Sequence, residues 1–262
     1  MKTQKLVFFD IDGTLLDQKT DMKIPKSAKA AIRRLQEAGH IAMVNTGRCA
    51  SFMEDCVREA GFDGFIYGCG TNVVFHGEEL FHQSLPQEVT GRLVEMVRQC
   101  KIDAILEGKK ASYFDYNGII HGEEFKRISK KETYIRSNYE DPEMVVDKLY
   151  LCTYPESDFE AFRKEFSTVF SFIDRGKGYY ELMPVGISKA TGIQRMMEYL
   201  SVPVEQTYSI GDSTNDLPML TFTGTSIAMG NSMEEILPYV THQTKNIEDD
   251  GIAYAIDKII LG

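Results

Sequence analysis

The chain has no CxxC pair. Its five cysteines (Cys49, Cys56, Cys69, Cys100, Cys152) are scattered and odd in number, and its five histidines are equally dispersed. That spacing argues against a structural zinc site and points to reduced thiols in a cytoplasmic protein. No apolar run approaches the roughly 20 residues that a membrane-spanning helix needs. The first strand is expected after a few polar residues, leaving no room for a signal peptide. A soluble, cytoplasmic protein with no membrane partner is therefore expected. A basic patch is missing as well. The formal net charge is −10, and the short pairs Lys109-Lys110 and Lys130-Lys131 read as solvated faces, so nucleic acid is not an expected partner. What is present is ordinary for a globular chain: 43% hydrophobic and 26% charged residues over 262 positions, enough for a large core in one or two domains. The acidic balance fits an enzyme that handles a metal ion and says nothing of its substrate.

The chain is organised around Leu6-Val7-Phe8-Phe9-Asp10-Ile11-Asp12-Gly13-Thr14-Leu15-Leu16. Four apolar residues predict a buried parallel strand that ends abruptly in carboxylates. Asp10 and Asp12 straddle Ile11, so in extended geometry both leave the same side of the strand. Gly13 lets the backbone turn closely, and Thr14 can bond neighbouring free amides. Two acids held so near each other repel unless a cation sits between them or one takes a proton. A strand end with an Asx-turn is the competing structural explanation.

After a polar stretch, Pro25 opens a predicted helix over residues 27–38, with Ala28, Ala31, Ile32 and Leu35 at helical spacing and Gly39 at its end. A strand over 40–44 runs into Asn45-Thr46-Gly47-Arg48, completing a β–α–β unit of a doubly wound parallel sheet. Ligands in such sheets gather at the carboxyl ends of the strands. There Thr46 offers a hydroxyl, and the Gly47 amide can closely approach an anion. Taken alone, the same stretch reads equally as a helix cap. A helix is predicted over 49–60, a third strand over 65–67, and a hairpin around 73–81. The rhythm then changes: a helix over 86–101 leads into strands over 102–106 and 111–116. After a polar, partly helical patch come a strand (148–154), a helix (157–167) and two strands (169–173 and 179–183). A helix precedes two strands twice, a weak internal repeat that marks an inserted α+β domain over about residues 85–184. The core is then discontinuous, 1–84 with 185–262. Beyond the insertion, Ser188 caps a helix that begins Lys189-Ala190, with Ile193, Met196, Met197 and Leu200 on its apolar face. A strand over 207–210 ends in Gly211-Asp212-Ser213-Thr214-Asn215-Asp216, where helix capping by Asn215 or Asp216 is the structural alternative. A strand over 226–229 and a helix over 252–261 close the chain.

Together, these strand ends and one helix start offer two aspartates, a threonine, a lysine, two further acids and an asparagine. Hard oxygen ligands without clustered histidine or cysteine suit Mg²⁺. A lysine and a hydroxyl beside a magnesium–carboxylate site suit a phosphoryl group, where one aspartate can attack phosphorus while its neighbour handles protons.

On these residues the sequence resembles the haloacid dehalogenase (HAD) superfamily, specifically a Cof-type phosphatase with a large α/β (C2B-type) cap. Asp10-Ile11-Asp12-Gly13-Thr14 is similar to its first motif, Thr46-Gly47-Arg48 to the second, Lys189 to the third, and 211–216 to the fourth. Ala228-Met229-Gly230-Asn231 and Asp250-Gly251 resemble the C-terminal signature. The pattern departs at Ala190, where glycine is usual, and at Cys69-Gly70-Thr71, where Asn-Gly-Ala is frequent. The resemblance implies a Rossmann-like α/β core with an inserted α+β cap, and Mg²⁺ as cofactor. It also implies Asp10 as nucleophile and metal ligand, and Asp12 as acid/base with its backbone carbonyl on the metal. Asp212 then completes the metal site, and Asp216 binds through water or orients ligands. Thr46, Gly47 and Lys189 hold phosphoryl oxygens, and Asn215 orients Lys189 or the phosphate.

The expected function is Mg²⁺-dependent hydrolysis of a small phosphorylated metabolite, a sugar phosphate or phosphorylated cofactor, through an aspartyl-phosphate. Arg175, Lys177 and Tyr179, in a late cap turn, are candidate substrate contacts, and Arg48 can reach a second anionic group. Exposed charges or a surface salt bridge account for them equally well. A phosphomutase and a non-catalytic phospho-ligand sensor are the alternatives. The cap position favours hydrolysis over the former, and the complete set of acids weighs against the latter. A monomer or small homo-oligomer is expected.

Overall fold

The computed structural model describes residues 4–17, 22–115 and 136–262. The chain divides into two compact units, one formed by Met1–Gly47, Glu54–Phe81 and Ser188–Gly262, the other by Arg48–Met53 and His82–Ile187. Among the described residues no helix is long and apolar enough to cross a membrane.

Strands are numbered along the chain. In the first unit β1 (Leu6–Phe9) lies inside the sheet with all four side chains buried. On one side follow β2 (Ile41–Asn45), β3 (Gly64–Tyr67), β4 (Asn72–Phe75) and β5 (Glu78–His82). On the other lie β12 (Thr207–Gly211), β13 (Thr225–Ala228) and β14 (His242–Gln243). Pairing is parallel from β14 through to β3, and β4 turns antiparallel to β3. Strands this uniformly apolar need cover on both faces. On one face, Ile193 and Met196 of the helix Lys189–Leu200 and Met219 and Leu220 of the helix Leu217–Leu220 share a core with Leu6, Phe8, Met43 and Ile66. The helix Lys26–Glu37, burying Ala28, Ala31, Ile32 and Leu35, packs on β2 and on the C-terminal helix Gly251–Tyr254. This is the doubly wound α/β core that the sequence predicts. Because β1, β2, β12 and β13 run in one direction, Asp10, Thr46, Asp212 and Met229 all leave the sheet at its carboxyl edge.

The second unit holds a six-stranded sheet, in the order β10 (Phe170–Gly176), β11 (Tyr179–Pro184), β9 (Lys148–Cys152), β6 (Asp103–Glu107), β7 (Ser112–Phe114) and β8 (Arg136–Asn138). Its helices Gln87–Gln99 and Phe159–Phe166 each precede two strands, as the repeat predicts. Side chains alternate across the pleat. Ala104, Leu106, Leu149, Leu151 and Leu182 face a core shared with Leu93, Val97 and Phe162 of the helices. Ile105 and Cys152 instead join Phe114, Phe52, Tyr150, Tyr154 and Tyr179 in a separate cluster. Most of the polar patch expected between β7 and β9 lies outside the described residues.

One local expectation is corrected. Residues 49–60 are not one helix: a single turn at Ala50–Phe52 and a short helix Asp55–Arg58 are separated by extended backbone at Met53 and Glu54. Tertiary contacts override the helical pattern there, since Phe52 joins the aromatic cluster of the second unit and Ser51 Oγ donates to the Gly108 carbonyl (2.7 Å). The closing helix begins at Gly251 and widens into a π-helix over Ala255–Ile260.

The alternation also buries charge. Lys148 Nζ lies 2.6 Å from Glu181 Oε1 and 3.4 Å from Glu107 Oε1, and the Arg175 guanidinium donates to Glu181 Oε2. Burial alone raises a carboxyl pKa, as it does for Glu107. For Glu181 that effect is outweighed by Lys148 and Arg175, which hold it at about 2. Replacing Glu181 with glutamine leaves both cations short of a partner and should cost on the order of 3 kcal/mol, read as a lower thermal midpoint at neutral pH. A depressed folded pKa means this contribution is complete above the ordinary carboxylate value of 4.5 and is lost as the pH falls towards about 2. The gap in midpoint between wild type and Glu181→Gln should therefore close across that window.

Candidate active site

Asp10 follows β1 directly. Its N–H donates to the Ile210 carbonyl at 3.0 Å, which continues the parallel ladder with β12 and stands the buried carboxyl at the sheet edge. Lys189 opens its helix behind a capping box: Ser188 Oγ accepts from the Thr191 N–H, and Thr191 Oγ1 accepts from the Ser188 N–H. The Lys189 side chain is wholly buried, with Nζ donating to Asp10 Oδ1 at 2.5 Å and Asp216 Oδ1 at 2.6 Å. Asp216 Oδ2 accepts the N–H groups of Asp212 (2.9 Å) and Ser213 (3.1 Å), closing the loop after β12. Asp212 accepts the Thr14 hydroxyl at 2.9 Å. One oxygen each from Asp10, Asp212 and Asp216 falls within 4.8 Å of the others. The structure thus brings Asp10, Lys189, Asp212 and Asp216 together, although Lys189 lies 179 residues from Asp10.

The remaining core residues lie on loops at the same edge of the sheet. Asp12 forms an isolated bridge with Leu16, and its charge adds to the repulsion felt by Asp212. Thr46 is buried, its N–H donating to Ile66 and its carbonyl accepting from Cys69 (2.9 and 2.8 Å), while Gly47 ends the segment half-buried. Asn215 Oδ1 accepts the Ser213 hydroxyl at 2.5 Å. Arg48, Arg175, Lys177 and Tyr179 belong to the second unit. There Arg48 donates to the Phe52 carbonyl, Lys177 sits exposed at the β10–β11 turn, and Tyr179 stacks on Tyr150 with ring centroids 5.7 Å apart.

Two features were not legible in the sequence. Thr14 bonds a carboxylate from a distant loop, where local reading pointed it at neighbouring amides. Asn45, the last residue of β2, donates from Nδ2 to the Lys189 carbonyl at 3.0 Å, while its buried Oδ1 has no hydrogen-bond partner among the described residues. An asparagine in a buried strand carries no signal of a contact 144 residues away.

Electrostatics make the cluster incomplete. Burial lifts the Asp10 carboxyl well above the usual range, and Asp216 and Asp212 add repulsion that Lys189 only partly offsets. Burial and Asp216 likewise push Asp212 up to about 7. Burial disfavours the Lys189 ammonium, yet Asp10 and Asp216 outweigh it and keep the group charged. Formally, three carboxylates and one ammonium leave an excess of two negative charges, which burial makes costly and which the upward shifts of Asp10 and Asp212 reflect. A hard oxygen donor set with that excess fits a divalent cation such as Mg²⁺.

A model of the haloacid dehalogenase-like hydrolase family matches residues 7–256. The putative phosphatase YkrA of Bacillus subtilis (strain 168) is 31% identical over 258 residues, covering 97% of each chain. The 5-amino-6-(5-phospho-D-ribitylamino)uracil phosphatase YitU of the same organism is 28% identical over 261 residues, covering 95% of this chain and 94% of its own. A crystal structure of a hypothetical protein from Geobacillus kaustophilus HTA426 superposes with a TM-score of 0.87 at 29% identity, covering 99% of this chain and 100% of that one. The fold and these relatives define a phosphoric monoester hydrolase. The chain belongs to the haloacid dehalogenase superfamily, in its Cof-type branch.

Gly13 closely approaches Asp212. It sits at φ +85°, and a Cβ there would lie 2.3 Å from Asp212 Oδ2. Gly39 has nearly the same backbone (φ +88°) with nothing within 4 Å. Gly39→Ala should therefore cost only the left-handed penalty of about 1 kcal/mol. Gly13→Ala should cost at least about 2 kcal/mol, since Asp212 or the turn must also move. Thermal melts of the two variants against wild type check the difference.

Proposed function

We propose that the protein hydrolyses a small phosphorylated metabolite in two steps through an aspartyl-phosphate on Asp10, with Mg²⁺ as cofactor. The observation that carries this reading is the Lys189 ammonium, clamped between Asp10 and Asp216 inside a cluster with two surplus negative charges.

In the first step the Asp10 oxygen not bonded to Lys189 attacks phosphorus. A bond forms from Asp10 to phosphorus, the ester P–O bond breaks, and the Asp12 carboxyl gives its proton to the departing alkoxide. In the second step the Asp12 carboxylate takes a proton from water, whose oxygen attacks phosphorus, and inorganic phosphate leaves Asp10. Thr46, Gly47 and Lys189 hold the phosphoryl oxygens through a hydroxyl, a backbone amide and an ammonium. Asp10, Asp212 and the Asp12 carbonyl would hold the metal. Both Asp216 oxygens already accept protein donors, which supports an orienting role for Asp216, with direct ligation left to the others. Asn215, bonded to Ser213, orients the same loop. When bound, Mg²⁺ supplies the positive charge that lets an anionic nucleophile meet an anionic phosphoryl group. The second unit acts as the cap that selects substrate, with Arg48, Arg175, Lys177 and Tyr179 its candidate contacts. The substrate named for YitU, a phosphorylated ribityl chain on a uracil, supports a small metabolite as the class acted upon.

Phosphate release from a panel of phosphate esters, with Mg²⁺ or with EDTA and without any bisphosphate activator, tests this. Release that needs Mg²⁺ is expected from one or a few compounds. Silence from folded protein across the panel, p-nitrophenyl phosphate included, would count against hydrolysis. Asp10→Asn should remain folded and lose more than about 10³-fold in kcat. Asp12→Asn should instead slow breakdown of the phosphoenzyme, so label from a ³²P-ester should persist on the protein. Unchanged turnover by that variant would remove Asp12 from proton transfer.

A further inference from the structure

The loop leaving β13 carries Met229-Gly230-Asn231, and the chemistry above gives it no task. It nevertheless touches both acid loops of the site. The Met229 N–H donates to the Gly211 carbonyl (3.0 Å), and the Met233 N–H donates to the Asp212 carbonyl (2.9 Å). Asn231 Nδ2 donates to the Gly13 carbonyl at 2.8 Å, while its Oδ1 accepts the Ile247 N–H at 3.0 Å. One amide orientation serves both bonds, so each fixes the other. We infer that Asn231 is a positioning residue that clasps the Asp12–Gly13 turn to the C-terminal loop and so aims the Asp12 carboxyl. This rests on the proposed acid/base role of Asp12.

Apart from the Thr14 hydroxyl, which donates to Asp212 at 2.9 Å, the backbone bonds of the turn run within it. The Gly13 N–H donates to the Leu16 carbonyl (2.9 Å) and the Thr14 N–H to Ile11 (3.2 Å), so the bond from Asn231 is the one that ties the Gly13 carbonyl to a distant segment among the described residues. The anchor on the other side is well braced. The Gly230 N–H donates to Lys245 (2.9 Å), the Asp249 and Gly251 N–H groups donate to the Asn246 carbonyl (3.1 and 3.0 Å), and Thr244 Oγ1 donates to the Gly251 carbonyl (2.6 Å). Ser27 Oγ donates to Asp250 at 2.5 Å, pinning the same loop to the start of the helix Lys26–Glu37. Asp250-Gly251 and Asn231 thus belong to one device: the first stiffens the loop that the second uses as its post. Asn231 is exposed, so shortening it opens no cavity. The loss should fall on the geometry of the turn while global stability holds.

The test uses Asn231→Ala and Asn231→Asp in the full chain. The aspartate keeps an acceptor for the Ile247 amide but has no donor for the Gly13 carbonyl at neutral pH. With the best ester from the panel and Mg²⁺, both variants should lose about 10- to 100-fold in kcat, with KM within about twofold of wild type and the thermal midpoint unchanged. In ¹H–¹⁵N spectra the Thr14 amide, next to the Gly13 carbonyl, should shift in both variants. The Ile247 amide should shift in Asn231→Ala and stay nearer its wild-type position in Asn231→Asp. Wild-type kcat in both variants, a change in KM alone, or a loss in kcat that only tracks the folded fraction would each overturn the inference. If the alanine variant does not fold, the aspartate variant carries the same kinetic and spectral test. If the wild type itself releases no phosphate, the phosphatase reading fails. The clasp is then judged on the Thr14 and Ile247 amides, and unmoved amides overturn it.

Discussion

An ammonium removed from water is tolerable only where carboxylates meet it. Lys189 Nζ has no exposure, so its two contacts, to Asp10 and Asp216, are conditions for the local fold as well as features of the site. Those contacts join the end of β1, the loop after β12 and the start of a helix that the chain reaches only on leaving the second unit. Each joined element is fixed independently of the lysine. A ladder bond places Asp10, two backbone amides seat Asp216, and a capping box with the Asn45 amide sets the first turn of the helix. The lysine therefore enters a pocket already dimensioned by backbone hydrogen bonds.

Parallel pairing explains why residues so far apart in sequence can meet. In a doubly wound sheet every parallel strand ends at the same edge, and each crossover contributes its next loop there. β1, β2, β12 and β13 contribute Asp10 to Thr14, Thr46, the loop 211–216 and Asn231 in turn. The loops then bond to one another: Thr14 to Asp212, Asn231 to Gly13, Met233 to Asp212. The sheet supplies proximity to within several ångströms, and this second layer of bonds supplies the finer alignment that chemistry needs.

What the sequence made legible follows the same division. The apolar strand before the acids, the serine before Lys189 and the crossover rhythm are local patterns, and the observed β1, β2, β12 and capped helix follow them closely. Bonds of the second layer were invisible because neither partner has a distinctive neighbourhood. Asn45 reads as a polar strand end and Thr14 as a turn residue, and the address of each partner is tertiary. Residues 49–60 failed for the converse reason. Their periodicity is helical, but Phe52 and Ser51 find better partners in the second unit than a continuous helix would leave them.

Charge balance separates scaffold from site in this molecule. Both units bury ionic networks of similar geometry. In the second unit, among the described residues, Lys148 and Arg175 face Glu107 and Glu181, two cations against two carboxylates. In the first unit, among the described residues, one ammonium, Lys189, stands in the cluster of Asp10, Asp212 and Asp216, and the nearby charge of Asp12 adds to the repulsion at Asp212. The contrast appears in the carboxyls themselves. Despite burial, Glu181 is held at about 2 by its cations, whereas burial and carboxylate neighbours lift Asp212 to about 7. A protein that needed only rigidity at the sheet edge could have balanced that cluster with one more cation, as it did elsewhere. Retaining an uncompensated pair of negative charges in a buried position costs stability, a cost that a cation from solution would offset.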